Sequence, residues 1–143
     1  MYGETENEGG TQMVYFWTAT TILWFAVMTY LSHQNGEETS KTSWILAEDV
    51  HRIWARESTE KINAFLRKAA HTVVFFILTI LLEKTLAEIG SGTLRVVWTG
   101  LLVVWCWADE VTKTFVPGRH FSWLDVGLNL LGFLLGMGTS CIS

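Results

Sequence analysis

The sequence predicts an all-α membrane protein: four transmembrane helices in an antiparallel bundle, with an interfacial amphipathic helix between helices 1 and 2. Three observations lead there. Half of the 143 residues are hydrophobic and 17% are charged. The charges avoid four long apolar runs and collect between them, a membrane pattern rather than a globular one. Among the eight tryptophans, Trp17, Trp98 and Trp123 stand near the ends of apolar runs, where an aromatic belt would lie.

The first span is expected from about Val14 to Leu31, with Thr18, Thr20, Thr21 and Thr29 bonding their hydroxyls back to helix carbonyls. It lacks a basic n-region and a clear cleavage site, so it reads as a retained span rather than a signal peptide. The second covers about Ala69 to Ala87, with Glu83 and Lys84 near its far end able to reach the interface. The third covers about Leu94 to Glu110 and the fourth about Trp123 to Ile142. Each is near the ~20 residues that cross the hydrocarbon layer, where helices satisfy their own backbone. The whole chain, 1–143, reads as a single membrane domain.

The connections differ. A short turn with Gly90 and Gly92 joins spans two and three, and a longer one with Pro117-Gly118 joins spans three and four. Between spans one and two, Leu46, Val50, Ile53, Trp54, Ile62, Phe65 and Leu66 recur at helical spacing among charges. They predict one or two amphipathic helices in the interface, with a soluble linker helix as the alternative. Cys106 and Cys141 fall near opposite ends of different helices, which predicts free thiols.

Four antiparallel crossings put the polar residues on one membrane side. Ser32 and Gln34 follow span one. Arg67, Lys68 and His71 open span two. Asp109 and Glu110 close span three, Arg119 lies in the following loop, and Asp125 and Asn129 open span four. Asp125, Asn129, Gly132 and Gly136 share one helix face, and the glycines would let that face press closely on a neighbour. A charge facing hydrocarbon costs at least about 2.5 kcal/mol, so the three carboxylates need cations, and Arg119, Lys68 and Arg67 are at hand. Arg119 is expected within hydrogen-bond reach of Glu110 or Asp125, because its planar fork suits carboxylates. The other side, with Glu83, Lys84, Glu88 and Arg95, reads as an ordinary charged turn.

Several function classes are excluded or unsupported. The net charge is −4 without a basic block, which argues against nucleic acid. No Cys/His set has zinc-ligand spacing, and no phosphate-cradling glycine loop or nucleophile elbow occurs, so no metal or cofactor is implied. Nothing in the sequence speaks to oligomeric state.

These residues resemble the VanZ-like family of small bacterial membrane proteins over nearly the whole chain. Ser32-His33-Gln34 is similar to the family's S-x-Q segment, and Arg67-Lys68-Ala69-Ala70-His71 matches R-K-x-x-H. The most specific part is Asp109-Glu110, then Phe115-Val116-Pro117-Gly118-Arg119, then Asp125, Asn129, Gly132 and Gly136. Lys113 departs from a usual Gln and adds a cation beside Glu110, and Thr72 stands where an aromatic residue is common. The family is named for a protein associated with resistance to the glycopeptide teicoplanin. The resemblance therefore implies a cell-envelope setting in the bacterial cytoplasmic membrane, with antibiotic resistance a family-level association only.

Three readings of the polar cluster follow. In the leading one it binds a membrane lipid or lipid-linked anionic intermediate. Arg119, Lys68 and Arg67 would hold phosphate or carboxylate, while Ser32, Gln34, His71, Asp109, Glu110, Asp125 and Asn129 would orient those cations or bind polar parts of the ligand. In the second, Glu110 or His71 adds acid/base catalysis on such a ligand. In the third, the cluster only locks the bundle of an interaction protein. The loops flanking the cluster hold eight Lys/Arg against two (Lys84 and Arg95) on the other side, which predicts a cytoplasmic site.

Overall fold

The structure, a computed structural model, describes residues 4–34, 41, 43–45, 47–50 and 59–142. Four helices dominate: α1 (Glu4–Ser32), α2 (Thr59–Ile89), α3 (Gly92–Lys113) and α4 (Trp123–Ile142). No strand occurs among the described residues. Of these, α1, α2 and α4 are long and apolar enough to cross a membrane.

Two helices run further than expected. α1 starts well before Val14, and α2 starts at Thr59 rather than near Ala69. Ile62, Phe65 and Leu66, assigned from sequence to an interfacial helix, therefore form the opening turns of α2. No glycine or proline interrupts the run from Thr59 to Ala70, so nothing stops the helix there. Residues 41, 43–45 and 47–50 are helical, and Ala47 is buried. Leu46, Ile53 and Trp54, the other positions of the expected amphipathic helix, lie outside the described residues.

Local chemistry ends each helix where it must turn. α2 stops at Gly90, whose φ of 70° favours glycine and whose N–H still reaches the Leu86 carbonyl at 3.1 Å. Ser91 then caps α3, its hydroxyl accepting from Leu94 N–H. Between α3 and α4, Pro117 and Gly118 form the centre of a turn closed by Arg119 N–H on the Val116 carbonyl at 3.1 Å. Gly118 has φ 77°, as the third position of a type II turn requires.

α2 is the central helix and packs most extensively on α4 and next on α1. The α2–α4 crossing is close because Gly132 and Gly136 are buried on it. A Cβ on Gly136 would lie 2.6 Å from Thr79 Cβ, and one on Gly132 would run into the Thr72 carbonyl oxygen. The Thr72 hydroxyl donates to the Leu128 carbonyl across the same crossing at 3.3 Å. Met28, Phe75, Leu78, Leu102, Cys106 and Phe133 fill the core between the helices. Many large apolar side chains point outward, among them Phe16, Ile22, Leu23, Val96, Val97, Val104, Leu134 and Leu135. Such a surface is a liability in water and the ordinary outer face in hydrocarbon.

Cys106 and Cys141 are free thiols, as expected, the first buried and the second exposed. The end of α2 differs from its sequence reading. Glu83 does not reach outward: it is buried and accepts from Arg95 Nε at 2.8 Å and from the Thr99 hydroxyl at 3.1 Å, both on α3. Nearby, the Thr21 and Thr85 hydroxyls pair at 2.9 Å and join α1 to α2.

Candidate functional site

The spacing along α3 determines which of its groups turn inward. Leu102, Cys106, the adjacent pair Asp109-Glu110 and Lys113 follow one another at three- or four-residue steps and form its buried face. The apolar stripe that packs this helix therefore runs on into three charged residues. Asp109 and Glu110 are each 1% exposed and Lys113 2%. Buried charges persist only when paired, and here they are. The Lys113 ammonium lies 2.8 Å from Asp109 Oδ2 and also contacts Glu110 Oε1. α1 contributes the Ser32 hydroxyl, which donates to Asp109 Oδ1 at 2.9 Å and Oδ2 at 3.1 Å.

A second set of contacts comes from α2 and α4. The Asn129 amide donates to the Cys106 carbonyl at 3.1 Å, which turns its oxygen toward His71 Nδ1, also at 3.1 Å. That oxygen can only accept, so Nδ1 carries the proton and Nε2 is the nitrogen left to titrate. Nε2 lies 3.6 Å from Asp125 Oδ2, and Nδ1 lies 3.9 Å from Glu110 Oε1. His71 thus stands between the two carboxylates. His33 ties α1 to α3, with its ring nitrogens 2.8 Å from the Thr29 carbonyl and 2.9 Å from the Thr112 hydroxyl.

Arg119 departs from its expected contacts. Its guanidinium donates to the Ser32 carbonyl at 3.1 Å and the Gln34 carbonyl at 3.3 Å. The expected pairing with Glu110 or Asp125 gives way because Lys113, one helical turn along, already holds Glu110, while His71 flanks Asp125. The turn at Pro117-Gly118 aims Arg119 at the end of α1 instead. Burial, followed by the nearby Arg67 guanidinium, draws the Arg119 pKa below its ordinary value; Glu110, Asp109 and Asp125 pull it the other way. Arginine stays charged at neutral pH regardless.

These groups surround a cavity of about 320 Å³. Ser32, Gln34, Arg67, His71, Asp109, Lys113 and Arg119 supply its polar wall, and Met28, Val74 and Phe75 its apolar one. The size falls in the range of about 300–1,000 Å³ usual for ligand sites. The cavity lining carries three cations and one carboxylate.

Most residues singled out from sequence meet here. Ser32, Gln34, His71, Asp109 and Arg119 line the cavity, and Glu110, Asp125 and Asn129 stand behind it, next to His71. Lys68 does not join them: both it and its neighbour Arg67 are exposed, but only Arg67 contributes to the lining. Lys113 proves central, and its spacing three and four residues after Glu110 and Asp109 was the available signal. Thr112, which ties His33 to the Asp109 carbonyl, carried none. One oxygen or nitrogen each of His71, Asp109 and Glu110 lie within 4.8 Å of one another, a donor set that could take a cation. The Lys113 ammonium already contacts both carboxylates of this set.

Apolar helices that converge on a buried polar cluster and a cationic cavity define a small helical membrane protein with a polar site at one end of its bundle. The VanZ/LLP1 family profile matches residues 17–143, and the chain belongs to that family. No curated protein and no solved structure matches it.

Proposed function

We propose that the protein binds an anionic amphiphile, a membrane lipid or a lipid-linked cell-envelope intermediate, with its headgroup in the cavity between Arg67 and Arg119. The observation that carries this reading is the lining itself. Two guanidiniums from different parts of the chain share one cavity with His71, and Arg67 acts on Arg119 as a like charge. A phosphate or carboxylate between them relieves that repulsion and accepts bidentate hydrogen bonds. Lys113 offsets one of the two charges of Asp109 and Glu110 and ties both carboxylates into the floor of the cavity.

In this reading α3 is the fourth crossing of an antiparallel bundle. Its 22 residues span about 33 Å at 1.5 Å per residue, enough for the hydrocarbon layer. Val96, Val97, Leu101, Val104 and Trp107 form its exposed face, while its acidic residues and Lys113 are buried. The excess of Lys/Arg on the site's side favours a cytoplasmic cavity in the bacterial membrane.

An enzymatic reading adds one feature. His71 lines the cavity, Asn129 fixes its tautomer, and Nε2 is left to act as base or acid beside Asp125. Glu110, locked by Lys113, is less suited to that role.

Native mass spectrometry of the protein released gently from membranes tests the binding reading. Retained anionic lipid is expected in the wild type. Arg119→Gln should lose it, and Arg119→Lys should keep only part of it, since an ammonium supplies charge without the planar fork. Bare protein, or retention of zwitterionic lipid alone, contradicts the proposal.

A further inference from the structure

We infer that the apolar groove between α1 and α3, floored by α2, holds one hydrocarbon chain of the amphiphile whose headgroup occupies the polar cavity. The inference rests on the headgroup reading above and adds where the tail goes. The groove has a volume of about 400 Å³ and is lined by Ile22, Phe25, Leu78, Leu82, Leu101 and Trp105 among others. Thr21 is its one hydroxyl-bearing residue, and that hydroxyl is engaged with the Trp17 carbonyl and Thr85. Apart from the indole N–H groups of Trp98 and Trp105, the wall is apolar and suits a methylene chain.

The stacking of this groove next to the polar cavity, on the same helices, is the deciding observation. Both spaces are built on the same three helices, one after the other. On α1 the groove ends at Phe25 and the cavity begins at Met28. On α2 the step is from Leu78 to Phe75, and on α3 from Trp105 to Asp109. Each step is about one helical turn, roughly 5 Å. The Phe25 and Trp105 rings meet at this junction with centroids 5.1 Å apart, joining α1 to α3 there. A headgroup held by Arg119 beside Ser32 sits roughly 10 Å along α1 from Phe25, a distance that a glycerol backbone and the first several methylenes of a chain can cover. Ile22, Leu101 and Val104 on the rim are exposed, so a chain can enter sideways from the bilayer.

Tails of bulk lipid are as apolar as these leucines, so the groove gains packing and position rather than dehydration. Its signature is where the chain lies. The test uses phosphatidic acid with a photoreactive diazirine in mid-chain, in nanodiscs of phosphatidylcholine, with labelled residues mapped by mass spectrometry. Labelling of Ile22, Leu82 and Leu101 is expected to exceed that of Leu134 and Leu135 on the outer face of α4 severalfold. Ile22→Trp with Leu101→Trp, which fills the groove from its exposed rim, should abolish the excess while native mass spectrometry still finds the anionic lipid retained. Leu134→Trp, the same change on α4, should leave both readouts unchanged.

The outcomes separate the two claims. Equal labelling of the groove and α4 overturns the groove, whatever the headgroup does. A groove excess that persists in Arg119→Gln leaves the tail site standing and removes the headgroup reading. An excess lost in Arg119→Gln and in the filled groove alike supports both.

Discussion

Lys113→Met is expected to destabilise the protein by about 3–5 kcal/mol, the usual effect of removing one partner from a buried ion pair. The neighbourhood explains why the effect is this large. Asp109 and Glu110 are buried, adjacent in sequence and on one face, and the Lys113 ammonium contacts both. Without it two carboxylates would face each other out of water, with the Ser32 hydroxyl and a histidine nitrogen 3.9 Å away as remaining relief. The variant should lose most of its yield as a monodisperse species in fluorescence-detected size exclusion. The control is the triple change Asp109→Asn, Glu110→Gln, Lys113→Met. Buried ionic clusters replaced as a unit by neutral groups of similar volume are tolerated, so the triple variant should regain yield. Equal yields for wild type and Lys113→Met would contradict the paired cluster.

Gly132→Ala is expected to be the most damaging single methyl addition on α4. A Cβ there runs into the Thr72 carbonyl oxygen, with Phe76 N at 3.0 Å. Both are backbone atoms of α2 and cannot swing aside as a side chain would. The two helices must separate, which loosens the contact carrying His71 and Asn129. Overpacking of this kind costs about 1–3 kcal/mol and sometimes more. Gly127→Ala and Gly138→Ala lie on the same helix with open space at the added carbon, and they should be neutral or slightly stabilising. Melting temperatures in detergent check the series. Losses as large at Gly127 as at Gly132 would point to helix flexibility rather than the crossing.

Sequence reading reached the site through two regularities. Apolar runs of membrane length assign residues to ends of spans, and simple alternation of crossings brings Ser32, His71, Asp109, Asp125 and Asn129 to one side. The step of four, three and four from Asp125 to Gly136 likewise anticipated a close helix contact, which α2 provides. Rotation about a helix axis was harder to read. Arg67 and Lys68 are neighbours with similar chemistry and both are exposed, and only the packing of α2 decides that Arg67 lines the cavity while Lys68 does not. The pairing of Arg119 failed for a related reason. Sequence placed Lys113 as a cation beside Glu110 without saying that it would also take Asp109 and so displace Arg119 from the carboxylates. Glu83 was missed because its partners, Arg95 and Thr99, follow across a turn whose geometry decides whether the side chain turns in or out.

The central claim is that Arg67 and Arg119 together hold an anionic headgroup. It is tested most directly by the composition of lipid bound to purified protein after equilibration in nanodiscs of equal phosphatidylglycerol and phosphatidylcholine. Wild type should retain phosphatidylglycerol in clear excess. Hydrogen bonds to charged groups are worth about 1.5–3 kcal/mol, so Arg67→Gln and Arg119→Gln should each reduce that excess roughly tenfold or more. The double variant should lose little beyond the worse single change, because both side chains hold one headgroup. A bound ratio near one in the wild type, or a ratio unchanged when both arginines are replaced, would contradict the account.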